Sequence, residues 1–515
     1  MYIVPNTDVR LLHNVNIDNS YKHTIYFDNN TEQANYFIGK TKYNLTNYSY
    51  QRYNKGLLKV GIKADSLYDC NYMMFRNKNF GNKWFYAFVN EVVYVSNDTA
   101  EVHYEIDVMQ TWMFECQLEM CFVEREHSLT DNIGDNYVPE NVNTGEYYVN
   151  SFENMFTNLE KLVVVVLVAD ADLGGTLLDG IYSGCTAHCF KVDSDVIGNL
   201  NEFIKGYTDN PENIVSIYMC PLFNAGGVIE DTGTVLDYSK APENTRVASY
   251  QINDSYTLNG YKPKNKKLYT YPYNFFNVVD GNGGSLITRY EFCNNLTPEY
   301  TINGTITPPV QTILRPFHYK GMTQYNELLT ESLVLNNYPQ CSFVIDSFKA
   351  WLAQEAVPQI MDFGLDTVSG LATGGLGYGV GRIGRNSVYE AGNLISQGYK
   401  ASIRADIVKG SVNHGSVNCA TGKQTFWGYR MSVTNKNAKI IDDYFNKFGY
   451  ATNEVKIPNT HSRPHWNYVK CVDATVIGNC PSDDCTKIES IYNNGITFWK
   501  NGEEVGNYSL DNSPT

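Results

Sequence analysis

EVHYEIDV, Glu101 to Val108, alternates: Val102, Tyr104, Ile106 and Val108 are apolar, and Glu101, His103, Glu105 and Asp107 lie between them. Successive side chains leave a strand on opposite sides, so a period of two predicts a strand with one buried and one wet face. Here the wet face is acidic. The stretch before it, WFYAFVNEVVYV from Trp84 to Val95, is apolar on both faces and is followed by a turn at Ser96, Asn97 and Asp98. KLVVVVLV, Lys161 to Val168, is an unbroken apolar run rich in valine, the pattern of a strand covered on both sides.

The rest of the chain keeps this rhythm. The first 150 residues read as short strands between Asn-rich turns, and residues 170 to 345 continue so, with punctuation such as Asp280-Gly-Asn-Gly-Gly284. Helical spacing is rare. Phe348, Trp351, Leu352 and Ala356 follow a capping Asp346 or Ser347 and stop at Pro358. Val388, Leu394, Ile395, Tyr399, Ile403 and Ile407 space a weaker helix between Ser387 and Gly410. From Ala438 to Phe448, Ile440, Ile441, Tyr444, Phe445 and Phe448 are expected to share one face, with Gly449 ending the helix. The fold class is therefore mainly β with a few helices.

Composition agrees. The 515 residues are 43% hydrophobic and 18% charged, enough for a sizeable core spread over three or four domains. Forty tyrosines and 24 phenylalanines suit pleated sheets. A net charge of −15 opposes a tight grip on nucleic acid, which needs a basic footprint, though an acidic wall would help a conduit through which DNA slides. The start, MYIVPNTDVRLLHNV, has neither the basic beginning nor the apolar run of a signal peptide, so synthesis and folding in a cytoplasm are expected. The 12 cysteines show no framework spacing and read as reduced thiols, mostly buried.

One stretch breaks the pattern. Gly364-LDTVSGLATGGLGYGVGRI-Gly384 has eight glycines in 21 residues, and positions 367 to 381 carry no charge. Glycine costs roughly 0.5–1 kcal/mol relative to alanine inside a helix or strand, so the run resists both. It is also apolar (Leu365, Val368, Leu371, Leu376, Tyr378, Val380, Ile383), unlike a solvated linker. Such a segment must hide in an assembly or enter a membrane. A transmembrane helix needs about 20 apolar residues, more than the run supplies. Gly379-Val-Gly-Arg-Ile-Gly384 matches a dinucleotide-binding fingerprint, with Asp406 beyond it, but no buried strand precedes it and the match is set aside.

Other chemistry-like clusters have plainer readings. Cys185, His188 and Cys189 offer three zinc ligands, yet a structural site needs a fourth, and Cys480 and Cys485 have no histidine close by. Glu124-Arg-Glu126-His127 reads as a salt-bridged strand end, since adjacent strand side chains diverge. No G-x-S-x-G, H-E-x-x-H or P-loop pattern occurs. Eight N-x-S/T sites, including Asn44, Asn47 and Asn97, carry no weight in an Asn-rich chain without a secretion signal.

DNSYKHTIYF (Asp18 to Phe27), YMMF (Tyr72 to Phe75), NKWFYAFV (Asn82 to Val89), YEIDVMQTWMF (Tyr104 to Phe114) and FVEREH (Phe122 to His127) resemble the tail-knob, or distal tail-tube, family of φ29-like short-tailed bacteriophages of Gram-positive hosts. So do VPEN (Val138 to Asn141) with Gly145 and Glu146, DDYFNKFGYATNEVKIPN (Asp442 to Asn459), RPHWNYVK (Arg463 to Lys470) and NGITFWK (Asn494 to Lys500). DSFKAWLAQ (Asp346 to Gln354) is similar to the family's entry into a long loop.

The resemblance implies tail-tube-like β-barrel or sandwich domains in a hexameric tube at the tip of a virion tail, through which the genome leaves. It implies no enzyme activity, no metal and no cofactor. The implied partners are further copies of the chain, the proximal tail or lower-collar protein, the host membrane, and viral DNA in transit without tight binding. It implies tube-forming parts at 1–150 and 426–515, outer and distal β domains at 151–345, and the long apolar loop with flanking helices at 346–425. That loop is expected to plug the tube and then perforate the host membrane, a role carried onto Gly364 to Gly410. Its expected active residues are Leu365, Val368, Gly370, Leu371, Gly374, Gly375, Leu376, Gly377, Tyr378, Gly379, Val380, Gly381, Ile383 and Gly384. Glu101, Glu105 and Asp107 are the candidate lumen-facing acids. A surface-exposed adhesin or glycan-binding β protein, using the Tyr- and Asn-rich strands for sugar stacking, is the competing class. It would not need the glycine-rich run.

Overall fold

The computed structural model describes residues 6–49, 56–79, 81–169, 185–192, 195–207, 213–226, 233–235, 245–306, 309–320, 332–336, 338, 340–342, 411–413 and 424–514. The glycine-rich stretch and the helices expected over 346–357 and 387–410 lie outside these residues. The chain divides into two compact units: Met1–Glu146 with Gly260–Tyr273 and Val433–Thr515, and Tyr147–Asn259 with Asn274–Ser432.

The first unit opens with β1 (Thr7–His13), β2 (His23–Ile25), α1 (Asn30–Gly39), β3 (Thr41–Tyr48), β4 (Leu57–Val60), β5 (Cys70–Asn77), β6 (Phe85–Ser96) and β7 (Thr99–Ile106). Six of these strands make an antiparallel sheet in the order β3-β1-β5-β6-β7-β4. Strand β7 is the alternating stretch. Ala100, Val102, Tyr104 and Ile106 are buried, and Glu101, His103 and Glu105 are half-buried on the other face. The alternation stops where the strand stops. Asp107 is 1% exposed and caps α2 (Val108–Trp112), correcting the expectation that it continues the wet face. The physical reason is the helix start, whose orphan N–H groups need an acceptor. β8 (Cys116–Leu118) and β9 (Cys121–Glu126) follow.

The second unit holds β10 (Tyr147–Asn154), β11 (Leu162–Ala169), β12 (Cys185–Lys191), α3 (Val196–Lys205), β13 (Ile214–Pro221), β14 (Thr234–Val235) and β15 (Thr245–Ala248). After the chain's excursion into the first unit come β16 (Asn274–Val279), β17 (Ser285–Thr288), β18 (Glu299–Gly304), β19 (Thr312–Phe317), β20 (Leu333–Leu335), β21 (Gln340–Ser342), β22 (Ser411–Asn413) and β23 (Trp427–Val433). They build three sheets, β10-β23-β16-β17, β14-β12-β11-β13-β21-β22 and β15-β18-β19-β20. β11 lies inside the second of these, between β12 and β13, and Val163 to Val168 are at most 1% exposed. Its unbroken apolar run is thus the mark of two covered faces.

The chain returns to the first unit with α4 (Asn435–Phe448), β24 (Tyr450–Lys456), β25 (Trp466–Val472), β26 (Val476–Gly478), α5 (Ser482–Asn494) and β27 (Ile496–Trp499). These supply a five-stranded sheet, β2-β27-β25-β9-β24, and a ribbon of β26 with β8. Phe37, Tyr72 and Phe88 from the early segment share one hydrophobic core with Ile488, Ile491 and Phe498 from the last. The five-stranded sheet and the ribbon both join strands from the beginning of the chain to strands from its end.

Two expectations change in detail. In α4 the buried face is Ala438, Ile441, Asp442 and Phe445, while Ile440 is 60% exposed, so the apolar stripe is rotated towards Asp442. Buried hydrogen bonds to the Asp442 carboxylate, described below, hold that rotation. Gly449 does end the helix, at φ +64, where an added Cβ would run into the Glu126 carbonyl. Among the cysteines, Cys480 and Cys485 are joined as a disulfide rather than free, because the turn at Pro481 into α5 brings their Cα atoms to 6.2 Å. Cys70, Cys121, Cys189, Cys220, Cys293 and Cys471 are buried free thiols.

Candidate functional site

The acids of β7 sit in different surroundings. Glu101 lies across from Lys59 of β4 and pairs with its ammonium at 3.3 Å, the lysine exposed and the acid half-buried at the surface. Exposed pairs of this kind contribute at most about 1 kcal/mol. Glu105 is half-buried and paired with Lys487 of α5. Burial pushes its carboxyl up, but the Lys487 bond and charge, with bonds from Asn19 and Asn90, hold it below its ordinary value. Asp107 accepts from the Met109 and Gln110 N–H groups at 3.0 and 3.1 Å and from the Tyr72 hydroxyl at 2.8 Å. Its burial raises the carboxyl to about 6 in spite of those bonds. Glu101 and Glu105 are therefore the two β7 acids with water access, each beside a lysine.

A second set of polar groups lies deep in the first unit. Asp442 of α4 accepts from the Tyr261 hydroxyl at 2.7 Å, the Lys264 N–H at 2.7 Å, and both the backbone and side-chain amides of Asn265 at 3.0 and 2.7 Å. The Tyr450 hydroxyl donates to Asp131 at 2.7 Å. Glu140 is paired with both Arg125 and Lys267 and also accepts from the Ala451 N–H at 3.0 Å. These bonds fasten the excursion Gly260–Tyr273 and the loop after β9 to the returning chain. They are structural rather than catalytic, since each acceptor is engaged by fixed donors.

The same holds for the strand end read as salt-bridged. Glu124 pairs with Lys470, Arg125 with Glu140 and Glu126 with Lys456. His127 is 3% exposed, accepts the Tyr468 N–H at Nδ1 (2.8 Å) and donates from Nε2 to the Asn446 carbonyl (3.1 Å). Burial and the Arg463 charge drop its pKa to about 3, so the ring is neutral. In the candidate zinc cluster, neighbours His188 and Cys189 lie on opposite faces of β12; Cys189 is 1% exposed and His188 packs on Phe203. They do not converge.

Sequence reasoning passed over an apolar row. Phe122 of β9 stands between Val455 of β24 and Val472 of β25 in register, and the three are 39%, 64% and 42% exposed. The available signal was the run Cys121-Phe122-Val123, apolar on both faces of a strand in which Cys121 and Val123 are buried and Phe122 is exposed. Contiguous exposed apolar rows of this kind mark contact surfaces. The glycine-rich candidates, Leu365 through Gly384, lie outside the described residues. No helix among the described residues is long and apolar enough to cross a membrane.

Residues 238–513 match the family described as the C-terminal domain of the tail knob protein gp9 of Bacillus phage phi29. Residues 5–117 match the caudoviral major tail protein N-terminus. The chain is 27% identical to the tail knob protein gp9 of Bacillus phage PZA and 26% identical to that of Bacillus phage phi29, in each case over 98% of both chains. The solved tail knob protein gp12 of bacteriophage C1 superposes with a TM-score of 0.64 at 16% identity, over 98% of this chain and 99% of that one, which is a likeness of fold.

Proposed function

This chain belongs to the family of the phi29 tail knob protein gp9, and on that premise we propose that it forms a hexameric conduit for genome ejection. It is a tail knob protein, a structural component of the tail of a short-tailed phage virion. In the proposed assembly the first unit is the tube-forming body and the second forms the outer and distal parts. The glycine-rich run from each copy plugs the lumen and, once released, enters the host membrane. Glu101 and Glu105 face the lumen, where an acidic surface lets the polyanion pass without the binding that lysine and arginine contacts would add. The other partners are the proximal tail or lower-collar protein and the host membrane.

One observation carries this reading: a tail-protein N-terminus at 5–117 and an uncharged, apolar, glycine-rich run at 367–381 occur in one chain. Hydrocarbon demands that every backbone polar group be satisfied, which one short segment cannot do alone and a ring of copies can. Storage and release are then two packings of one sequence. The open row of Phe122, Val455 and Val472 supports self-association. Electron microscopy of the purified chain at high concentration tests it. A sixfold ring with a lumen wide enough for duplex DNA is expected, and a persistent monomer with no ring would overturn it.

A further inference from the structure

We propose that Cys116, Cys480 and Cys485 form a three-thiolate site for a thiophilic divalent cation of the zinc class. Their sulfur atoms all lie within 4.8 Å of one another, and all three residues are half-buried. Tetrahedral zinc at a Zn–S distance of about 2.3 Å needs sulfurs roughly 3.8 Å apart; Cys480 and Cys485 are bonded to each other here, so the centre forms only once that disulfide is reduced and the two side chains rotate apart beside Cys116.

Three separate elements deliver the thiols. Cys116 begins β8, Cys480 lies in the turn after β26, and Cys485 sits in the first turn of α5. The β8–β26 ribbon pairs Cys116 with Gly478, and the Asn479 N–H donates to the Glu115 carbonyl at 3.1 Å. Gly478 lies so close that an added Cβ would run into that carbonyl. The Pro481 carbonyl accepts from both the Asp484 and Cys485 N–H groups at 3.0 Å, which fixes Cys485 at the positive end of a 13-residue helix. Burial, with the Glu115 charge, holds the Cys116 thiol above its ordinary value and Lys83 opposes it; a bound cation would stabilise the thiolate instead. Cys116 also lines a cleft with Met113, Gln117 and Leu118, which gives an entry path.

The Cys480–Cys485 disulfide and the metal centre are alternative states of the same sulfurs: a cytoplasmic dithiol supplies two electrons by thiol–disulfide exchange and is itself oxidised to a disulfide, and the freed thiols give up their protons to solvent as the cation binds. A virion protein made in a bacterial cytoplasm folds where thiols stay reduced, and there a converging cysteine cluster favours metal over disulfide. No further His, Cys, Asp or Glu among the described residues joins the trio, so the fourth position falls to water.

The test is the full-length chain purified without oxygen, with zinc measured by mass spectrometry and replaced by cobalt(II). One metal per chain and a thiolate-to-cobalt charge-transfer band in the near ultraviolet are expected. Cys116→Ser and Cys485→Ser should each weaken zinc binding more than about tenfold, since even outer-shell changes cost 10- to 100-fold. Reduced thiols with no metal, or unchanged affinity in Cys116→Ser, would overturn the site. Should a variant fail to fold, the cobalt spectrum of the unaltered chain decides: a charge-transfer band supports the site and its absence removes it.

Discussion

Trp112 donates its indole N–H to the Asp484 carboxylate at 2.7 Å, across 372 positions of sequence, with both side chains largely buried. The bond joins the end of α2 to the first turn of α5, so it closes the core of the first unit between its earliest and latest segments. Trp112→Phe keeps most of the ring and deletes the donor. Bonds to charged groups contribute about 1.5–3 kcal/mol, so the melting transition of the first unit should fall by a corresponding amount. A loss below about 0.5 kcal/mol would mean that the bond adds nothing to the packing.

Asp107 makes stability depend on pH in an unusual direction. Its carboxyl is raised from 3.8 to about 6 on folding, so the native state binds its proton more tightly than the unfolded chain. The ionised acid therefore costs stability above pH 6, and that cost is relieved as pH falls from about 7 towards 4. Asp107→Asn keeps an acceptor for the Met109 and Gln110 N–H groups and removes the titration. The variant should gain on the wild type at pH 7.5 relative to pH 4.5, by about 2 kcal/mol at most. Parallel melting curves across that range would contradict this.

His127 acts with the opposite sign. Its pKa falls from 6.5 to about 3 on folding, so between these values the unfolded chain takes up a proton that the native ring refuses. Stability is complete above pH 6.5 and lost as pH drops through 6 and 5. His127→Gln should flatten that acid limb while lowering stability at pH 7.5 by about 1–3 kcal/mol, because Tyr468 and Asn446 lose well-placed partners. Denaturant titrations at pH 5 and 7.5 on both chains give the comparison.

Helix α4 offers a test of packing at single-residue resolution. Ile441 is 2% exposed and Ile440 60% exposed. Ile441→Ala should cost about 2–4 kcal/mol, and Ile440→Ala less than about 0.5 kcal/mol in the isolated chain. Equal losses would place both side chains in the core.

What could be read in the sequence follows from how local its cause is. The strand at Val102–Ile106 and the buried run at Val163–Val168 are legible because periodicity itself records which faces are covered. Asp107 was misread since alternation carries no notice that a strand is about to become a helix needing a cap. In α4 the helical spacing of apolar residues pointed to Ile440, whereas the burial of Asp442 depends on Tyr261 and Asn265, which approach from another part of the chain. The same distance hid the cysteine trio: Cys480 and Cys485 looked incomplete, and their third member is Cys116. The exposed row of Phe122, Val455 and Val472 was likewise invisible until three strands were set in register.

The glycine-rich run gives the sharpest test of the proposed function. Deleting 364–410 should leave the ring assembled, because the contacts that close the first unit lie elsewhere, and should abolish dye release from liposomes. Leu371→Asp with Leu376→Asp makes the same point without shortening the chain. An aspartate at the middle of a membrane costs about 2.5–3.5 kcal/mol on insertion scales, and a ring multiplies that by its number of copies. Assembly should be unaffected, since the stored plug can hydrate two acids more cheaply than a bilayer can. A deletion that blocks ring formation would make the segment part of the wall. Rings that assemble without it and still release dye would move the membrane activity to another surface, with the apolar row on β9, β24 and β25 the next to be altered.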